Sequence, residues 1–192
     1  MTWLPNSLTV SRILLLVPVM ILLSKAQDAA TYQWCFALFL GTALTDLVDG
    51  WVARHLQCES TLGAFLDPLA DKILSNVLLV FLASRFPDWI SLWLVLLLLA
   101  REFAVQGFRS MAPCVGVLIR TERLSKLKTF FQLVAAGAVM VGLGWEALAA
   151  IARPVALLSL VLALVAGYVS MTMLFIRNLD IWSRRPVKLE VR

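Results

Sequence analysis

Long apolar runs, separated by short polar stretches, dominate this chain. Six of them read as helices, at about 8–24, 32–56, 61–85, 89–110, 124–148 and 154–176. Each is close to the roughly 20 residues that a helix needs to cross a hydrocarbon layer. The run over 154–176 carries no charge at all. The first run reads as a helix rather than a cleavable signal, because Arg12 lies inside it and no basic stretch precedes it. Asn6 or Ser7 is its expected N-cap, after Pro5. The expected fold is all-α: one polytopic membrane domain over residues 1–192, with six transmembrane helices.

Composition supports a membrane protein. The chain has 192 residues, 61% of them hydrophobic, and a mean hydropathy of +0.88. A soluble globular domain is only about half apolar. Charge placement then sets an expected orientation. With six spans, 14 of the 17 Lys and Arg residues fall on the side that holds both termini. Only Lys25, Arg85 and Arg153 fall on the other. The positive-inside rule makes the first side cytoplasmic. A net charge of +5 suits anionic lipid or phosphorylated substrates. The basic residues are spread over one membrane face with no recognition motif, so nucleic acid is not an expected partner. Cys35, Cys58 and Cys114 show no metal-ligand spacing. His55, beside Arg54, reads as an interfacial residue, and the tail 177–192 as a loose polar segment.

Against this apolar background stand four aspartates, Asp46, Asp49, Asp67 and Asp71. Ionisable residues within membrane helices mark functional sites by default. Asp46 and Asp49 are i, i+3, and Asp67 and Asp71 are i, i+4, so each pair shares a helix face. Gly50 lies one turn after Asp46 and Gly63 one turn before Asp67, which lets a second helix or a ligand approach closely. Four carboxylates would repel one another unless they shared protons or metal ions. An oxygen-only set selects hard cations such as Mg²⁺, Ca²⁺ or Mn²⁺.

The block Asp46-x2-Asp49-Gly50-x2-Ala53-Arg54-x8-Gly63-x3-Asp67-x3-Asp71 resembles the signature of the CDP-alcohol phosphatidyltransferase family, with every specified residue present. The resemblance covers essentially the whole chain. It implies a six-helix membrane enzyme with its active site near the cytoplasmic side of the bundle. Its cofactor would be Mg²⁺ or Mn²⁺, two ions held by Asp46, Asp49, Asp67 and Asp71. It implies Asp71 as the catalytic base. Asp46, Gly50, Ala53, Arg54 and Gly63 would bind the CDP group of CDP-diacylglycerol. It also implies a homodimer among membrane lipids.

Three further segments are similar to the phosphatidylglycerophosphate synthase branch of that family. They are Pro5-Asn6-Ser7-Leu8-Thr9-Val10-Ser11-Arg12, Ala100-Arg101-Glu102 followed by Arg109, and Lys126-Leu127-Lys128-Thr129-Phe130-Phe131-Gln132. Ser125 departs from the pattern, since glycine is usual there. This similarity implies glycerol 3-phosphate as acceptor. Arg109, Lys126, Lys128 and Thr129 would bind it, with Glu102 holding Arg101 or Arg109 in place. Two alternatives stay open: another acceptor alcohol, as in cardiolipin synthases, and a divalent-cation transporter. Elsewhere, Trp3, Trp89 and Trp182 suit an aromatic belt. Gly137, Gly142 and the alanines at 135, 136 and 138 suit a close-packed face of the fifth helix.

Overall fold

A computed structural model describes residues 17–56, 75–117, 123–179 and 181, with the backbone alone given at 44–56, Cys114 and Arg123. Among these residues there are six α-helices and no strand. They are α1 (described over 17–25), α2 (Ala29–Leu56), α3 (described over Ser75–Arg85), α4 (Leu92–Met111), α5 (Arg123–Gly144) and α6 (Glu146–Arg177). A 3₁₀ turn, Ala112–Val115, ends at Gly116, whose φ of 76° is the left-handed conformation that glycine adopts without strain. Asp28 caps α2: its carboxylate accepts from the Thr31 hydroxyl at 2.6 Å and the Thr31 N–H at 3.1 Å. These bonds hold its pKa below the ordinary carboxylate value. The cap therefore contributes at neutral pH and is lost as pH falls through that lowered value.

Two of the helices, α5 and α6, are long and apolar enough to cross a membrane. The charges of α2 (Asp46, Asp49, Arg54) and α4 (Arg101, Glu102, Arg109) interrupt those helices. Large apolar side chains face outward around the bundle, led by Trp93 at 77% exposure, Phe103 at 70% and Trp34 at 68%. Apolar surface spread on this scale fits a lipid solvent better than water.

The boundary between the last two helices differs from the expected one. The runs 124–148 and 154–176 were expected as separate spans, with the break before Pro154. The break instead falls at a single extended residue, Trp145 (φ −133°, ψ 98°), and Pro154 lies inside α6. The segment Glu146-Ala-Leu-Ala-Ala-Ile-Ala-Arg153 is made largely of strong helix formers, so the helix begins there. At 32 residues α6 is about 48 Å long, well beyond a ~30 Å hydrocarbon layer. The described start of the expected loose tail is packed instead. Ile181 is buried with Val105, Phe108, Ala112 and Leu174, and Asn178 Nδ2 donates to the Leu174 carbonyl at 2.8 Å. The Asn6 or Ser7 cap, Trp3, Trp182, Cys58 and residues 182–192 lie outside the described residues.

Small side chains bring the helices together. The most extensive pairing is α5 with α6. The buried positions of α6 include Ala152, Ala156, Ser159, Ala163, Gly167 and Ser170, and Ala135 and Ala136 are buried on α5. Such faces allow the close backbone approach that membrane helices use in place of a hydrophobic drive. Helix α2 runs antiparallel to α5. Gln33 Nε2 donates to the Gly144 carbonyl at 2.8 Å, and Phe36 and Phe39 lie against Gly137.

Trp89 is not simply a belt residue. It is half-buried and its ring occupies the space over Gly142. A Cβ at position 142 would collide with that ring and stand 3.0 Å from the Ala152 Cβ. Gly142→Ala is therefore expected to cost about 1–3 kcal/mol through overpacking. Thermal melting in detergent checks this. Adding Trp89→Leu should recover part of the loss, whereas unchanged melting of the single variant would remove the contact from the stability argument.

Candidate functional site

The buried stripe of α4 runs Val95, Leu98, Arg101, Glu102, Val105 and Phe108, a helical spacing that carries two charged residues into the bundle. Arg101 is 2% exposed and Glu102 5%. Lys128 of α5, at 3%, joins them. Glu102 Oε1 accepts from Arg101 Nη1 at 2.7 Å and from Lys128 Nζ at 2.5 Å. Arg101 Nε also donates to the Gly167 carbonyl of α6 at 2.8 Å. The stems of both cations pass close to Gly167, within 3.6 Å of where a Cβ would stand. Three helices are thus tied through one carboxylate oxygen and one carbonyl. Among the described residues, two cations meet one carboxylate away from solvent. Buried charge is costly unless paired and hydrogen-bonded.

A second polar pair adjoins it. Gln132 lies one turn beyond Lys128 on α5 and is 1% exposed. Its Nε2 donates to Asn76 Oδ1 of α3 at 3.3 Å, and Asn76 is itself buried. Ser75 and Ser170 are buried as well. These polar positions occupy one level of the bundle. The apolar core includes Leu78 on α3, Leu98 on α4, Ala135 on α5 and Ala163 on α6. Buried polar groups then begin at Asn76, Arg101, Gln132 and Gly167, two to four residues along each helix. One half of the bundle is sealed by apolar side chains, and a polar layer lies on top of that seal.

The expected donor-side residues sit as follows. Asp46, Asp49, Gly50, Ala53 and Arg54 lie in the second half of α2, which continues as a helix to Leu56; their side chains are outside the description. Gly63, Asp67 and Asp71 lie outside the described residues. The expected acceptor residues separate. Lys128 is buried in the charge cluster and Arg109 is half-buried, two turns beyond Glu102 on α4. Lys126 is exposed. Residues two apart on a helix diverge by about 200°, so the two lysines leave α5 in different directions. Thr129 is half-buried and its hydroxyl bonds the Ser125 carbonyl of its own helix at 3.3 Å. Glu102 does hold Arg101, as expected, but its second described partner is Lys128 rather than Arg109.

Sequence reasoning gave no role to Asn76, Gln132 or Gly167. A signal existed for the first two. Both are amides within apolar runs, and Gln132 falls at i+4 from Lys128. Gly167 had none, because it acts through its carbonyl.

The pattern of the CDP-alcohol phosphatidyltransferase family matches residues 2–176. A protein of Rickettsia typhi is 37% identical over 139 residues, covering 72% of this chain and 76% of its own. One from Bacillus subtilis is 34% identical over 148 residues, covering 71% and 76%. One from Cereibacter sphaeroides is 36% identical over 157 residues, covering 80% and 70%. All three carry the name CDP-diacylglycerol–glycerol-3-phosphate 3-phosphatidyltransferase. With its complete aspartate motif and its match over nearly the full length, this chain belongs to the CDP-alcohol phosphatidyltransferase family.

Proposed function

We propose that the protein transfers the phosphatidyl group of CDP-diacylglycerol to glycerol 3-phosphate, releasing CMP and forming phosphatidylglycerol phosphate. The observation that carries this reading is the buried Arg101–Glu102–Lys128 cluster in a chain with the complete motif. Helix register adds support. Gln33 of α2 meets Gly144 of α5, and Phe36 and Phe39 meet Gly137. Continued antiparallel along both helices, this pairing brings positions 46 and 49 of α2 to the level of Lys128–Gln132. Relatives named for this same reaction support the choice of acceptor.

The chemistry divides between the two sets of residues. Asp71 takes the proton from a glycerol hydroxyl, and the freed oxygen bonds to the β-phosphorus of CDP-diacylglycerol. The phosphorus–oxygen bond to CMP breaks, and CMP departs with the electron pair. Gly50, Ala53 and Gly63 leave room for the nucleotide, and Arg54 meets its phosphates. Lys128 and Arg109 receive the phosphate of the acceptor, with Lys128 held in place by Glu102. The donor set of Asp46, Asp49, Asp67 and Asp71 suits hard divalent cations, and Asp46 and Asp49 stand three residues apart on a continuous helix. Bound there, Mg²⁺ or Mn²⁺, as two ions, would offset the charge of the diphosphate. The rest of the reaction is positioning and electrostatics.

The same reading makes the protein a multi-pass membrane enzyme, with six helices crossing the bilayer and both termini cytoplasmic. A water-soluble acceptor then reaches the polar layer from the cytoplasm, and the apolar half seals the other side. A homodimer is part of the proposal, on family resemblance. A panel of acceptors tests the function. Purified protein should release CMP from CDP-diacylglycerol with glycerol 3-phosphate. Release with phosphatidylglycerol instead would identify a cardiolipin-forming enzyme, and no release with any alcohol would overturn the reading.

A further inference from the structure

The Gln132–Asn76 pair is unfinished as a hydrogen-bonded unit. The contact uses Nε2 of Gln132. Its carbonyl oxygen Oε1 is buried and has no hydrogen-bond partner among the described residues. A buried acceptor without a donor costs stability, and native proteins seldom keep one without a use. Several features say what kind of donor fits. The oxygen belongs to a neutral amide, so it takes an N–H or O–H and does not attract an anion. Asn76 engages the amide nitrogen, which fixes which end of the group remains open. Lys128 is one turn away on the same face, about 5–6 Å between Cβ atoms, the scale of a three-carbon acceptor. The pair also belongs to the polar layer that lies over the apolar seal, so nothing apolar needs to reach it.

We infer that Gln132 is a specificity-determining residue that accepts a hydrogen bond from the non-reacting hydroxyl of the acceptor alcohol, with Asn76 holding its amide in place. This rests on the proposed reaction and on Lys128 receiving the acceptor phosphate. Lys128 then selects for a phosphorylated acceptor, and Gln132 selects for a second hydroxyl on it. The two requirements together describe a phosphorylated polyol rather than a simple alcohol phosphate. Sites built to bond a substrate hydroxyl reject analogues that lack it, because their own polar group is left unpaired.

The test compares glycerol 3-phosphate with 3-hydroxypropyl phosphate, which lacks only the central hydroxyl. Wild type should prefer glycerol 3-phosphate in kcat/KM by about ten- to a hundred-fold, the scale of one buried hydrogen bond. Gln132→Met keeps the volume and removes the acceptor, and should bring that ratio to within about three-fold of unity. The KM for CDP-diacylglycerol should stay close to the wild-type value. Gln132→Asn keeps an amide in the core but withdraws it by one methylene. It should lower the ratio in the same direction, and it serves if the methionine variant does not fold. A ratio that survives both substitutions would overturn the inference and leave Oε1 to an ordered water. An equal loss on both acceptors would also overturn it, giving Gln132 a structural role. If wild type releases no CMP with glycerol 3-phosphate, the proposed reaction itself falls, which is a different outcome.

Discussion

Chelation with EDTA should abolish CMP release, Mg²⁺ or Mn²⁺ should restore it, and Asp71→Asn should stop turnover even with the cation in excess. Four carboxylates stand within 26 residues, with Arg54 as the cation inside the motif. Without a divalent ion they would repel one another and the bound diphosphate. The two losses have different causes and can be separated. Asparagine keeps the shape of the side chain and one oxygen, but it cannot accept the hydroxyl proton at neutral pH. CDP-diacylglycerol should therefore still bind to Asp71→Asn. Asp46→Asn and Asp67→Asn should instead weaken the hold on the cation, so higher Mg²⁺ should partly restore them. Full activity in metal-free buffer would remove the cation from the proposal. Near-wild-type turnover by Asp71→Asn would place the base elsewhere.

Glu102→Leu should destabilise the protein by about 3–5 kcal/mol, the usual consequence of stranding buried charges. Both described ion pairs of the cluster end on Glu102 Oε1. Removing it takes away the described carboxylate that both Arg101 and Lys128 meet. Lys128→Met alone should be milder for folding, because Glu102 keeps its bond to Arg101 at 2.7 Å. It should still raise the glycerol 3-phosphate requirement by about ten- to a hundred-fold, through loss of a charge-assisted hydrogen bond. The double variant Glu102→Leu/Lys128→Met is the informative one. Replacing both partners of a buried pair by apolar groups can be nearly neutral for stability, so melting in detergent should recover while activity does not. Recovery of both would mean that the cluster only holds helices together. Equal loss of affinity for both substrates in Lys128→Met would move Lys128 to the shared reaction centre.

Much of the architecture was legible along the chain. The apolar runs gave the six helices of the described bundle, because a helix that packs in or near lipid must be apolar over most of its surface. The runs 32–56 and 89–110 match α2 and α4 within a few residues. The end of α5 did not follow from the pattern. Residues 144–153 hold two charges, Glu146 and Arg153, among apolar and small residues, and that pattern did not place the break at Trp145. Pro154 falls inside α6, as a proline fits in a membrane helix whose neighbours satisfy the freed carbonyl.

The sequence by itself carried the family signature and named the proposed donor-side residues. That motif is local: its eight specified positions lie between Asp46 and Asp71, where helix period alone sets which carboxylates share a face. The tertiary structure decided the grouping around Lys128. Glu102 and Lys128 are 26 residues apart in the chain, Arg101 and Gly167 are 66, and Asn76 and Gln132 are 56. Each contact forms only when the packed helices bring one level of the bundle together. Only that packing separates exposed Lys126 from buried Lys128, turns the Gly167 carbonyl of α6 into a partner for Arg101, and leaves one amide oxygen of Gln132 open above the apolar seal. Spacing along one helix fixes which side chains diverge, but the neighbouring helices fix which of them is inside.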